Sequence, residues 1–107
     1  MQITKFLAVA LLANGVVADL TFRAICTMLD MNFVQAYVND KNTTTIACNR
    51  YKERNTGDKQ HDKCPDCFMD TNGVSEFCHS PGEHIGEKEW GQYCEEAGAD
   101  SNFSQGK

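Results

Sequence analysis

Two thiols separated by two residues, in Cys64-Pro65-Asp66-Cys67, are the most chemically pointed feature of the sequence. Such a pair can exchange electrons when its first thiol is activated at the N-terminus of a helix that follows a strand. Here the pair follows a polar stretch, and Pro65 stands between the cysteines rather than ahead of a helix. The same thiols could begin a zinc site completed by Cys78 with His79 or Cys48, but the second closely spaced pair of a zinc ribbon or finger is missing. With Cys26, Cys48, Cys78 and Cys94 they make an even set of six. In an oxidising compartment that set reads as three structural disulfides, whose pairing the sequence does not fix. No metal and no cofactor is expected.

Acid–base chemistry has its candidates in His61, His79, His84, Glu89 and Arg54, the residue types of a small ribonuclease-like hydrolase. That chemistry needs two titrating groups held across one cleft, and three histidines spread through polar segments do not supply one. No catalytic residue is assigned, and a non-enzymatic protein is expected. Recognition has a better foothold. Arg50, Tyr51, Lys52 and Arg54 set one large aromatic among cations in or beside the longest polar stretch, residues 49–63. Tyrosine and arginine are favoured at binding hot spots, so these four are candidate partner-binding residues. The plainer reading is a solvated loop carrying one partly buried tyrosine. Trp90, the only tryptophan, could platform a wall glycan, but its helical spacing with Cys94 and Ala97 favours a place in the core. Asn42-Thr43-Thr44 and Asn102-Phe103-Ser104 are sequons, making Asn42 and Asn102 candidate glycan acceptors.

The elements that must position these groups belong to a small exported chain. Lys5, the apolar run Phe6 to Ala13 and the small residues around Ala18 read as a signal peptide over residues 1–18. Its apolar run is broken at Asn14 and Gly15, too short to span a membrane. Its removal leaves 89 of the 107 residues, and the net charge of −5 becomes −6 with the loss of Lys5. A chain that short buries a small core and needs covalent staples. The acidic balance argues against nonspecific binding to nucleic acid or to anionic membrane.

The alternation in Leu20 to Cys26 predicts a half-buried strand, and Asn32–Asn39 is read as a second one. A polar turn at 39–42 then leads into the β-branched run Thr43 to Cys48, which predicts a third strand. Asn72-Gly73 predicts a type I′ hairpin with arms at Phe68-Met69 and Val74 to Cys78. The likeness of Asp70 to Gly73 to a calcium loop is outweighed, since the closing bidentate glutamate is lacking. Glu87 to Ala97 predicts a helix, with Trp90, Tyr93, Cys94 and Ala97 on one stripe and Gly98 at its C′ position. Residues 100–107 read as a flexible polar tail. The expected fold is a small disulfide-rich α+β domain over residues 19–99, with three to five short antiparallel strands and one C-terminal helix.

Three features resemble the small secreted cysteine-rich, effector-like proteins of filamentous fungi. They are the leader Met1-Gln2-Ile3-Thr4-Lys5-Phe6 with its Ala/Leu/Val core, the even cysteine set in a short mature chain, and the ending Trp90-Gly91-Gln92-Tyr93-Cys94-Glu95-Glu96-Ala97-Gly98-Ala99. The resemblance brings no shared catalytic residues. It implies virulence at a host interface, binding of wall glycans, or toxicity to competitors. The acidic charge departs from the strongly basic antifungal proteins of fungi. The expected function is therefore a monomeric, extracellular binding protein whose partner is an unidentified extracellular or host protein. A ribonuclease-like hydrolase and a wall-glycan binder are the alternatives.

Overall fold

The computed structural model describes residues 20–32 and 36–106. The predicted signal peptide and residues 33–35 of the second predicted strand lie outside that range. In chain order the elements are β1 (Leu20–Thr21), β2 (Arg23–Asp30), β3 (Ala36–Asn39), α1 (Lys41–Lys52), a 3-10 turn (Gln60–Asp62), β4 (Phe68–Asp70), β5 (Phe77–His79), β6 (Ile85–Gly86), α2 (Glu87–Glu96) and β7 (Ser101–Gln105).

β2 is the spine of a five-stranded antiparallel sheet. β7 lies along one edge, from Arg23↔Gln105 to Thr27↔Ser101. The other edge is shared by β5, opposite Arg23 and Ala24, and β3, opposite Thr27 to Asp30. Where those two short strands leave a gap, Thr44 fills it. Its Oγ1 accepts from the Cys26 backbone N–H at 2.9 Å, and the Asp40 N–H donates to the Cys26 carbonyl at 2.9 Å. β4 pairs with the outer side of β5, and β1 pairs separately with β6.

The expected α+β, disulfide-rich class holds, but Thr43 to Cys48 is helical rather than extended. Asp40 caps α1, its carboxylate accepting from the Thr43 N–H at 3.0 Å and the Thr43 hydroxyl at 2.8 Å. Thr44, Ala47, Cys48 and Tyr51 then fall on one buried stripe. A well-capped helix with that stripe against the sheet outweighs the modest strand preference of three threonines and an isoleucine. The tail is corrected too. Residues 101–105 form β7, because its backbone satisfies the free edge of β2. The β4–β5 hairpin forms as expected, yet neither Asn72 nor Gly73 has positive φ among the described residues. The connection over 71–76 is wider than a type I′ turn, and Asp70 Oδ1 receives the Asn72 N–H at 3.1 Å.

α2 matches its sequence expectation. Trp90 and Cys94 are buried, and Gly98 takes φ +98°, letting the Ala99 N–H reach back to the Cys94 carbonyl at 2.9 Å. Both helices lie on the same face of the sheet, and each is stapled to it once. Cys26–Cys94 joins β2 to α2, Cys48–Cys78 joins α1 to β5, and Cys64–Cys67 closes a local turn. The core between the layers is Trp90, Tyr51, Ile85, Ala24, Ala47 and all six cysteines.

Candidate functional site

With both helices on the Ala24–Cys26 face, the opposite face of the sheet is left open. Alternation along β2 sends Arg23, Ile25 and Leu29 there. The pairings add Tyr37 beside Leu29, Phe103 beside Ile25, and His79 beside Arg23, with Phe68 next to His79. Tyr37 is 59 % exposed, Phe103 61 % and Phe68 45 %. The His79 ring sits 5.9, 5.2 and 5.6 Å from the rings of Phe22, Phe68 and Phe77, and its Nδ1 lies 3.3 Å from Asp70 Oδ2. Exposed aromatic side chains gathered on one open sheet face make the kind of surface on which partners dock. Sequence reasoning misses this face because Phe103 falls in the stretch read as a flexible polar tail, and because Phe33 and Tyr37 on one side and Val34, Ala36 and Val38 on the other make both sides of the predicted strand Asn32–Asn39 apolar.

The candidate cations and Tyr51 separate in space. Arg50 and Lys52 are exposed at the end of α1, where they also suit the helix dipole. Tyr51 is 0 % exposed and cannot be a surface anchor. Its hydroxyl accepts from the Gly86 N–H at 2.9 Å and donates to the His61 carbonyl at 3.1 Å. Burial pushes its pKa up to about 12, so the phenol keeps the proton it donates. Arg54 is also committed. Its Nε donates to the His61 carbonyl at 2.9 Å, Nη1 to the Tyr93 hydroxyl at 3.3 Å, and Nη2 lies 3.8 Å from Asp62.

Of the acid–base candidates, the structure brings His61, Glu89 and Arg54 together. His61 Nε2 stands 3.7 Å from Glu89 and 3.6 Å from Asp62. His79 belongs to the open face, while His84 Nδ1 is 3.0 Å from the Gln60 carbonyl. With its guanidinium held at three points, Arg54 binds the 53–63 loop to Tyr93 of α2. Cys64 and Cys67 are bridged and fully buried. Trp90 is 0 % exposed, a core residue rather than a glycan platform. Asn42 is exposed in the first turn of α1, and Asn102 is exposed as well, its amide close to Gly91 of α2.

Two carboxylates tie down the loops around this network. Asp62 is held below the usual carboxylate range by the Thr56 hydroxyl at 2.6 Å and the Lys59 N–H at 2.9 Å. For Asp66, burial pushes upward, but the Ser80 hydroxyl and the Gly82 N–H, each at 2.7 Å, outweigh it and lower the pKa. Groups depressed by folding stabilise the protein above their unfolded pKa of about 4 and cease to do so as pH falls through the lower folded values. The expected result is a melting temperature that drops steeply below about pH 4. Asp62→Asn and Asp66→Asn should each lower it at neutral pH and flatten the acid drop. A variant with the wild-type pH profile would show that its carboxylate is not a source of the drop.

Residues 19–102 match the family profile described as biotrophy-associated secreted protein 4, BAS4. The chain belongs to the BAS4 family. No curated protein and no solved structure matches it. The BAS4 family consists of secreted, effector-like fungal proteins, which bears out the resemblance carried by the leader, the cysteines and the Trp90–Ala99 ending. The three disulfides fit the extracellular location of a BAS4 protein.

Proposed function

We propose that this BAS4 protein is a non-enzymatic, virulence-associated binding protein that contacts an extracellular or host protein through the open face of its sheet. The observation that carries the reading is the exposed aromatic surface of Tyr37, Phe103 and Phe68 on a scaffold whose other face is sealed by two stapled helices. Aromatic side chains supply large contact areas with few torsions to freeze, and a disulfide-held sheet presents them with little further ordering cost. Residues 1–18 act as the signal peptide in this reading, consistent with a family match that begins at residue 19. Asn42, exposed in the first turn of α1, carries a glycan in this reading. Export with and without peptide-N-glycosidase, compared with Asn42→Gln, tests that point by a change in mass.

The test of the binding surface uses the secreted, oxidised protein immobilised against extracellular fluid of the colonised host tissue. The partner retained by wild type should be lost, at least tenfold, by Tyr37→Ser combined with Phe103→Ser. It should be kept by Arg50→Ser combined with Lys52→Ser, which removes the exposed cations at the end of α1. The opposite pattern transfers the interface to α1 and sinks the reading of the open face.

A further inference from the structure

The open face is not uniformly apolar. At the Arg23–Ile25 end of β2 it holds a pocket of about 190 Å³ whose lining includes Arg23, Ile25, Ser75, Phe77, Phe103 and Gln105. Ile25 forms the floor and Phe77 and Phe103 the walls, on the two sides of β2. Asn39 fixes the rim on the Ser75 side, its Nδ2 donating to the Glu76 carbonyl at 2.6 Å and so tying the 71–76 connection to β3. Arg23 is the one ionisable residue of the lining. Its guanidinium lies over the Phe77 ring at 4.7 Å and near the Phe22 ring at 5.3 Å. Among the described residues it has no carboxylate within ion-pair distance, whereas its neighbour His79 is already matched by Asp70.

We infer that this pocket receives a peptide segment of a partner protein in which a large apolar side chain stands next to a carboxylate. The inference rests on the binding reading above and specifies its chemistry. Volume decides the apolar part. A cavity of about 190 Å³ falls below the roughly 300–1,000 Å³ of small-molecule sites and suits one side chain. Charge decides the rest. A guanidinium lying over an aromatic ring can present N–H donors at its edge, and a fork of such donors matches a carboxylate at two points. Ser75 and Gln105 can hydrogen-bond the peptide backbone as it crosses the rim. The acids of α2 lie beneath the sheet, on its other face. Since charge is screened over about 8 Å at physiological salt, the chain's negative total does not forbid an acidic ligand on this side.

The probe is a randomised heptapeptide display library, selected on the oxidised full chain at physiological salt. Selected peptides should pair Phe, Leu or Trp with an adjacent Asp or Glu. A synthetic peptide of that type should shift the backbone amide signals of Ile25, Phe77, Phe103 and Gln105. Its affinity should fall at least tenfold when its carboxylate becomes an amide, or when the protein carries Arg23→Gln. Arg23→Lys, which keeps the charge but not the fork, should fall between. Selected sequences without an acid, basic sequences, or equal selection by Arg23→Gln would each overturn the inference. So would a solution dimer that Phe103→Ser dissociates, since a second copy would then be the occupant. If the partner captured from host fluid depends on Phe103 but not on Arg23, the binding face stands and the carboxylate match falls. If it depends on neither, both fall.

Discussion

Replacing Cys26 and Cys94 together with alanine is expected to lower the melting temperature of the oxidised protein by about 15–30 °C. This bridge spans 68 residues of sequence. Restricting an unfolded chain over that separation contributes about 4 kcal/mol in the loop-entropy picture. A domain of this size has a total of roughly 5–15 kcal/mol, and each kilocalorie moves the melting point by about 4–8 °C. The bridge is also the covalent link that holds α2 to the spine of the sheet. Cys48–Cys78, spanning 30 residues, should cost slightly less, and Cys64–Cys67, spanning 3, about 2 kcal/mol at most. Thermal melts followed by near-ultraviolet circular dichroism, which sees the packing of Trp90, would give the order directly. A Cys26/Cys94 variant melting within a few degrees of wild type would mean the small core suffices without its staple.

That ranking needed the pairing, and the pairing was not legible in the sequence. An even number and export imply that the six cysteines oxidise; only the layered arrangement says that each helix takes one bridge to the sheet. α2 was readable because its stripe, acidic start and Gly98 all agreed. α1 was not, because Thr43-Thr44-Thr45-Ile46 argues locally for a strand. The competing signals were present in Asp40, two residues ahead of Asn42, and in the helical spacing of Thr44, Ala47, Cys48 and Tyr51. Tyr51 then followed the wrong element: read as the apolar member of a loop, it looked available to a partner, whereas on a helix it belongs to the buried stripe. The open face was hidden for a related reason. Its width depends on β7 completing the edge of β2, and Ser101–Gln105 has too polar a composition to announce itself as a strand. Backbone pairing, to which side-chain patterns are blind, put it there.

Trp90→Ala is expected to cost about 3–5 kcal/mol, close to the limit of what this domain can lose and still fold. Trp90 is wholly buried, its ring 6.1 Å from that of Tyr51. Its Nε1 donates to the Ile25 carbonyl at 2.9 Å. The alanine variant loses the packing, leaves a cavity beneath the sheet and removes the donor from that carbonyl. Trp90→Phe separates these effects. It keeps much of the volume and should cost roughly 1–3 kcal/mol, including the donor taken from a buried acceptor. The distinction reaches the other face, because Ile25 is both the acceptor for Trp90 and the floor of the pocket. A phenylalanine variant that remains folded should therefore show altered amide signals at Ile25 and Phe103, as well as at Tyr51, against which the ring packs. Unaltered signals at Ile25 and Phe103 would mean that the pairing of β2 with β7 holds the pocket floor by itself, and that Trp90 contributes to stability alone.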